Sequence, residues 1–221
     1  MDKDQRSVRP VIEYIMNQFP EPFSHPMSPY ASHLSTLLYK YIKNQISFND
    51  CCVSIYSITG CTYPVEKLKS ILSVSKQPLP SSPTYFDQPT KNSYDDEIED
   101  QNEDNHLSDR KRRKKCKLWN NIEDERLLAA ILKFGLDNWS AISRFIGNDR
   151  TRSQCCQRWT RGLDPRISKD QWTAAEDQLL TNLVQSHGTK SWTQIASILG
   201  NRSDVQCRYH YQQLVKTNMA S

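Results

Sequence analysis

Two stretches of the sequence decide the fold. They are residues 119–163, WNNIEDERLLAAILKFGLDNWSAISRFIGNDRTRSQCCQRWTRGL, and residues 172–214, WTAAEDQLLTNLVQSHGTKSWTQIASILGNRSDVQCRYHYQQL. In each stretch three large aromatic residues recur at intervals of 19 or 20 residues, and the second stretch follows the first at a period of 53. The six aromatic residues, which we expect to form the structural core, are Trp119, Trp139, Trp159, Trp172, Trp192 and Tyr211. The chain therefore contains two copies of one structural unit.

Helix-end signals divide each copy into three helices. In the first copy Glu123 and Asp124 lie in an opening turn, where their charges complement the helix dipole. Gly135 and Gly147 mark the ends of the first and second helices, and Thr151 begins the third. The second copy carries matching signals about 53 residues later. The sequence therefore predicts an all-α fold with two tandem units of three helices.

The third helix of each copy has one face that points away from the core. At about 100° per residue, Cys155 and Trp159 lie inward, whereas Ser153 and Gln157 lie on the opposite side. In the second copy the residues predicted to lie outward are Val205, Tyr209, Gln212 and Lys216. Several arginines surround the first of these helices. A cationic helix that follows a shorter one is the helix-turn-helix arrangement for the major groove of DNA.

Composition supports a nucleic-acid binder and excludes several other classes. The net charge of +4 hides an acidic part, residues 1–105 with 9 Lys+Arg against 14 Asp+Glu, and a basic remainder with 20 against 11. No run of about 18 apolar residues predicts a membrane helix, and the N-terminus lacks the pattern of a signal peptide. Seven cysteines without a CxxC motif fit neither a disulfide framework nor a zinc finger. No nucleophile-base grouping is present, so we expect no enzyme, cofactor or metal.

The acidic part divides into two regions that precede a basic arm. Residues 8–75 carry apolar residues at near-helical spacing, which predicts a bundle of about four helices that binds a protein partner. A paired-amphipathic-helix interaction module and an unnamed dimerisation or cofactor-docking bundle both remain open. Residues 76–109 are rich in Pro, Ser and acidic residues, which predicts a flexible linker, either a spacer or a competitor for the basic half. Residues 110–117 indicate a nuclear-import segment or a phosphate-contacting arm.

Specific motifs in the two copies strongly resemble a two-repeat Myb DNA-binding domain. The first copy and the junction have Trp119-x3-Glu123-Asp124, Arg150-Thr-Arg-Ser-Gln154-Cys155-x2-Arg158-Trp159 and Leu163-Asp-Pro165-Arg-Ile167-x4-Trp172. The second copy has Trp172-Thr173-x2-Glu176-Asp177 and Arg202-Ser-x2-Gln206-Cys207-Arg208-x-His210-Tyr211. The resemblance implies repeats at 112–166 and 167–218 in a nuclear transcription regulator. It also implies that both third helices bind adjacent major-groove segments of a short AAC-containing element.

The outward faces and the resemblance together identify candidate site residues. The residues predicted to read bases are Ser153, Gln157, Arg161, Arg208, Tyr209 and Gln212. The residues predicted to contact phosphate are Lys117, Arg150, Arg152, Arg202 and Lys216. The residues predicted to direct nuclear import are Arg110, Lys111, Arg112, Arg113, Lys114 and Lys115.

Two of these positions depart from the family pattern. Ser153 lies where the first family repeat commonly has a base-reading lysine, and Tyr209 lies where the second commonly has an adenine-reading asparagine. Arg208 keeps a donor suited to guanine. The DNA-binding class is therefore expected, but the sequence of the DNA element stays open.

Three alternatives accompany this interpretation. Related repeats of the SANT type bind histone tails or partner subunits, although they tend to present an acidic third helix. Cys155 and Cys207 are either small core residues or thiols that make DNA binding redox-sensitive. His210 is expected to contact phosphate rather than to act as a catalyst.

Overall fold

The structure, a computed structural model, describes residues 3–25, 27–80 and 118–219, and these ranges contain helices and no β-strand. The N-terminal helices are α1 (Lys3–Met16), α2 (Ala31–Ile42), α3 (Phe48–Thr59) and α4 (Tyr63–Leu72). The helices of the two repeats are α5 (Asn121–Phe134), α6 (Trp139–Ile146), α7 (Arg152–Arg158), α8 (Ala174–His187), α9 (Trp192–Leu199) and α10 (Asp204–Met219). None of the described helices is long and apolar enough to cross a membrane. The prediction of an all-α fold with tandem three-helix repeats is confirmed.

Local capping explains where the helices of the first repeat begin. Asn120 and Glu123 form a reciprocal capping box at the start of α5, and Thr151 and Gln154 form another at the start of α7. The Asn138 side chain accepts a hydrogen bond from Ala141 N at the start of α6. After Arg158 the helix continues as one wider π-helical turn over Trp159–Leu163.

The second repeat uses the same signals. Thr173 and Glu176 cap α8, and Ser203 exchanges side-chain hydrogen bonds with Gln206 at the start of α10. Its core contains Leu180, Val184, Ile195 and Cys207, with Trp172, Trp192 and Tyr211 packed against them. The rings of Trp192 and Tyr211 lie 5.9 Å apart.

The N-terminal helices pack directly on the first repeat. Helices α1 and α4 both contact α5. One continuous core therefore runs from Val11 and Leu34 in the N-terminal helices to Leu128 and Trp159 in the first repeat. The sequence predicts the four helices, but it does not predict that their partner is the neighbouring repeat.

The structure also differs from the predicted linker at its start. Residues 76–80 are described, and Leu79 forms a parallel β-bridge with Gly147, at the turn between α6 and α7. The prediction that the flexible linker begins at residue 76 is therefore wrong, because the chain around Leu79 is held against the first repeat. The remainder of the predicted linker, through residue 109, and the basic arm at 110–117 lie outside the described residues except for Pro80.

Candidate nucleic-acid interface

The third helix of the first repeat exposes one polar face. Ser153 and Gln157 are exposed, as the helical register predicts. Cys155 and Trp159 are buried on the opposite side, with 0% and 2% of their surface exposed. Arg152, which lies in the first turn of α7, is exposed as well. The exposed side of α7 therefore combines a cation with two short polar side chains that can donate and accept hydrogen bonds.

The third helix of the second repeat exposes a different set of side chains. Tyr209 is 43% exposed, and Gln212 and Lys216 are exposed on the same helix, whereas Cys207 is fully buried. The prediction that Val205 lies outward is wrong, because this apolar side chain is only 8% exposed. The exposed face of α10 therefore begins later along the helix than the register alone predicts.

Arg208 lies beside this face. Its guanidinium carbon is 5.7 Å from the centre of the Tyr209 ring, within the range of a cation–π contact. Within the described residues its Nε atom is buried and has no hydrogen-bond partner. An unpaired buried donor is costly in a folded protein.

Two arginines that we predicted to contact phosphate are instead paired inside the repeats. Arg150 donates from Nε and Nη2 to the two carboxylate oxygens of Glu123, both at 2.8 Å, and their side chains are 2% and 0% exposed. Arg202 donates in the same way to Glu176, at 2.8 and 3.1 Å. The predictions for Arg150 and Arg202 are wrong because these buried guanidinium groups direct their donors to a carboxylate.

Each of these ion pairs also lies against a tryptophan. The guanidinium carbon of Arg150 is 4.2 Å from the Trp119 ring centre, and that of Arg202 is 4.6 Å from the Trp172 ring centre. The hydrogen bond from Arg202 lowers the pKa of Glu176 to about 2. The sequence contained a signal for this arrangement, because a carboxylate and an arginine recur together in both copies.

Arg161, predicted to read bases, joins the two repeats. It lies in the π-helical turn after α7 and donates to Asp204, the first residue of α10, at 3.0 and 2.8 Å. Both side chains are about one quarter exposed, at 23% and 26%. Sequence reasoning missed Asp204, which lies 43 residues from its partner. In this structure Arg161 is therefore not available to a base edge unless Asp204 releases it.

The junction between the repeats also docks on the second repeat. Ser168 N donates to the Asn201 carbonyl at 2.9 Å, and the Ser168 carbonyl accepts a hydrogen bond from Gln206 Nε2 at 2.9 Å. Together with the Arg161–Asp204 pair, these contacts hold the end of the third helix of the first repeat close to the start of α10.

His210, Cys155 and Cys207 pack against the interior of the two repeats. The His210 ring stacks on Trp172 at 4.1 Å, and its Nε2 lies 2.5 Å from the Asp177 carboxylate. His210 is therefore paired within the second repeat, and its predicted phosphate contact stays a prediction. Burial raises the pKa of Cys155 to about 11 and that of Cys207 to about 12. These thiols are poor thiolate sources at neutral pH, which favours the core interpretation over redox sensing.

The remaining predicted site residues lie outside the described part of the chain. These are Lys117 and the import segment of residues 110–115. Within the described ranges no group of His, Cys, Asp and Glu is arranged to hold a metal ion.

Comparisons with known proteins agree with this architecture. Two family models, each described as a Myb-like DNA-binding domain, match residues 119–180 and 169–215. Myb-related protein B of Homo sapiens is 41% identical over 114 residues, which cover 51% of this chain and 16% of that protein. The pre-mRNA-splicing factor cef1 of Emericella nidulans is 42% identical over 98 residues, which cover 44% of this chain and 12% of that protein.

A solved structure shows a weaker overall likeness. It is described as Trichomonas vaginalis Myb2 in complex with MRE-1-12 DNA, with 31% sequence identity and a TM-score of 0.41. The match covers 47% of this chain and 97% of that one. The family models, the repeated capping signals and the three-helix units agree with one another. Residues 119–215 are a tandem of Myb-like DNA-binding repeats.

Proposed function

We propose that the two repeats bind double-stranded DNA by placing α7 and α10 in adjacent segments of the major groove. The observation that carries this proposal is the Arg161–Asp204 ion pair, which holds the end of one third helix beside the start of the next. The end of one third helix therefore lies beside the start of the next, and each of the two helices carries an exposed polar face. A major groove is wide enough to admit an α-helix, and a duplex offers such grooves in succession.

The described residues divide between base and phosphate contacts. Ser153, Gln157, Tyr209 and Gln212 are exposed and carry the hydrogen-bonding groups that distinguish base edges. Arg208 adds a cationic donor suited to guanine. We assign phosphate contacts to the exposed cations Arg152 and Lys216, and retain Lys117 and the basic arm as sequence-based proposals.

We further propose that this DNA binding is sequence-specific and serves transcription regulation in the nucleus. The basic segment at 110–115 and the similarity to Myb-related protein B support this role. The chain covers only 16% of that relative's length, so the resemblance concerns the repeats and not the rest of the relative.

A second candidate function is that of a subunit in a larger complex, with the repeats as SANT-like protein-binding modules. The similarity to a protein named as a pre-mRNA-splicing factor favours this candidate. The exposed faces of α7 and α10 argue against histone-tail binding, because they carry Arg152 and Lys216. A cationic surface repels a basic tail and attracts a polyanion.

Selection of preferred sites from random duplex DNA by the full chain would test the proposal. We expect an enriched element, and we expect the chain to prefer it over a scrambled duplex, over duplex RNA of the same sequence and over a histone-tail peptide. Gln157→Ala should weaken binding to the selected element by about tenfold and relax one base position. Gln185→Ala is the matched control, because Gln185 is also an exposed helical glutamine but lies on α8. Equal binding to all duplexes would overturn sequence specificity, preference for the RNA would overturn duplex-DNA binding, and preference for the peptide would favour the second candidate.

A further inference from the structure

We propose that residues 3–79 fold together with the first repeat as one cooperative unit, whereas the second repeat unfolds independently. The contact of residues 3–79 with the first repeat fixes the turn between α6 and α7. The N-terminal helices are then a built-in support of the first helix-turn-helix and not a separate module. This coupling concerns folding, so it does not rest on the proposed DNA binding.

The contact between the two regions combines apolar and polar groups. Leu128 on α5 is fully buried in the continuous core. At its edge Glu125 accepts hydrogen bonds from Lys67 Nζ and Ser70 Oγ of α4, both at 2.6 Å. Burial and the nearby Asp124 carboxylate raise the pKa of Tyr14 on α1 to about 12. A shared close-packed core cannot lose one side without exposing the other to water.

The second repeat lacks this additional face. The positions that correspond to Leu128 and Leu132 in the 53-residue register are Thr181 and Gln185. Gln185 is exposed, whereas Leu132 packs against the continuous core. The three-helix repeat therefore forms without apolar residues at these two positions. The first repeat carries them because its α5 has a second packing partner.

A strap formed by residues 75–79 extends the contact to the helix-turn-helix itself. Leu79 N donates to the Ile146 carbonyl, and Asn148 N donates to the Leu79 carbonyl, both at 3.0 Å. Arg126 is 3% exposed and donates to the carbonyls of Ser75, at 3.1 Å, and of Ile146, at 3.2 Å. Its guanidinium group therefore ties the strap to the end of α6.

The corresponding turn in the second repeat is contacted by Ser168 of the junction, but no segment among the described residues lies against Gly200. Leu179 occupies the position of Arg126 and is 43% exposed. A Cβ atom placed on Gly200 would meet nothing within 4 Å, whereas one placed on Gly147 would lie 2.7 Å from Leu79 N. Because α7 begins at Arg152, just after the strapped turn, the strap restrains the direction in which this helix leaves α6.

Amide hydrogen exchange of the full chain tests the coupling through a mild change far from the contact. Ile55 is fully buried on α3, which packs on α2 and α4. Ile55→Val should lower the protection of amides in the middle of α3 by about 2- to 12-fold, the range expected for one buried methyl group. We expect amides in the middle of α5 to lose protection by the same factor, and amides in the middle of α8 to keep theirs.

The matched control is Ile195→Val, which removes the same methyl group from the core of the second repeat. It should lower the protection of α8 amides and leave α3 and α5 unchanged. Unchanged protection of α5 in Ile55→Val would overturn the cooperative unit. A parallel loss in α3, α5 and α8 in either variant would overturn the independence of the second repeat. Neither result depends on whether the chain binds DNA.

Discussion

The arginines of the two repeats differ in their surroundings more than in their chemistry. Arg150, Arg158 and Arg202 are buried and paired with a carboxylate of the first helix of their own repeat. Arg161 of the first repeat pairs with Asp204 of the second, and Arg152 is exposed. The number of arginines near a third helix therefore overstates the positive charge that a ligand would meet.

A pair of substitutions separates structural from ligand-facing arginines. Arg150→Ala should lower the free energy of unfolding by about 3–5 kcal/mol, because it leaves the Glu123 carboxylate buried without its partner. Arg152→Ala should change stability by less than about 0.5 kcal/mol and should weaken DNA binding. Urea unfolding and gel-shift titrations of both variants measure the two effects. An Arg150→Ala protein as stable as the parent, with weakened DNA binding, would restore Arg150 as a phosphate contact.

The helical register of α7 was predictable at the residue scale, whereas the ion pair between the repeats was not. The period of the helix alone placed Ser153 outward and Cys155 inward. The partner of Arg161 lies on another helix, 43 residues away in the chain, and neither a local pattern nor the repeat specifies it. A charged side chain beside a predicted outward face can therefore be turned inward by a carboxylate that only the tertiary structure brings near.

At the scale of helices, the ends were more predictable than the packing. Thr151 caps α7 where the sequence predicts the start of the third helix, because capping depends on residues only three or four apart. The docking of α1 and α4 on α5 depends on surfaces that are far apart in sequence. A comparison of Leu128 with Thr181 in the two copies would have indicated an extra partner for α5.

The strap predicts different effects of alanine at Gly147, which it contacts, and at Gly200 in the second repeat. Gly147 and Gly200 both have positive φ angles, 73° and 79°, so alanine is strained at either position. Only at Gly147 would the new Cβ also collide with the strap, 2.7 Å from Leu79 N and 2.9 Å from Pro78 Cβ. Exchange of the Leu79 amide should therefore be at least about tenfold faster in Gly147→Ala and unchanged in Gly200→Ala. Equal exchange rates in the two variants would show that the strap does not contact the turn in solution.

At the scale of the whole molecule, the boundary between the acidic and basic parts of the sequence does not coincide with a boundary of the folded core. The acidic part of the sequence includes helices that pack on the basic part, with Lys67 of the former paired to Glu125 of the latter. Composition predicted a polyanion binder with an appendage. It could not predict that the N-terminal helices pack on the first repeat, because average charge carries no information about apolar contact surfaces.

The ion pair between the repeats supports a last prediction about the whole DNA-binding surface. In the free protein Asp204 neutralises Arg161 and places a negative charge at the start of α10. Asp204→Asn removes that charge and releases the guanidinium. We therefore expect tighter binding to random duplex DNA. Because one additional cation can contact phosphate, the slope of log affinity against log salt should steepen by up to about 0.9.

Fluorescence anisotropy titrations between 50 and 200 mM salt would measure both the affinity and its salt dependence. The double variant Arg161→Ala with Asp204→Asn is the control. Without the guanidinium the additional phosphate contact is not made, so the slope should not steepen. Weaker binding by Asp204→Asn with an unchanged slope would reverse the assignment. The register that the ion pair gives α7 and α10 would then matter more to affinity than the negative charge of Asp204, and its loss would cost affinity through the added freedom of the two repeats.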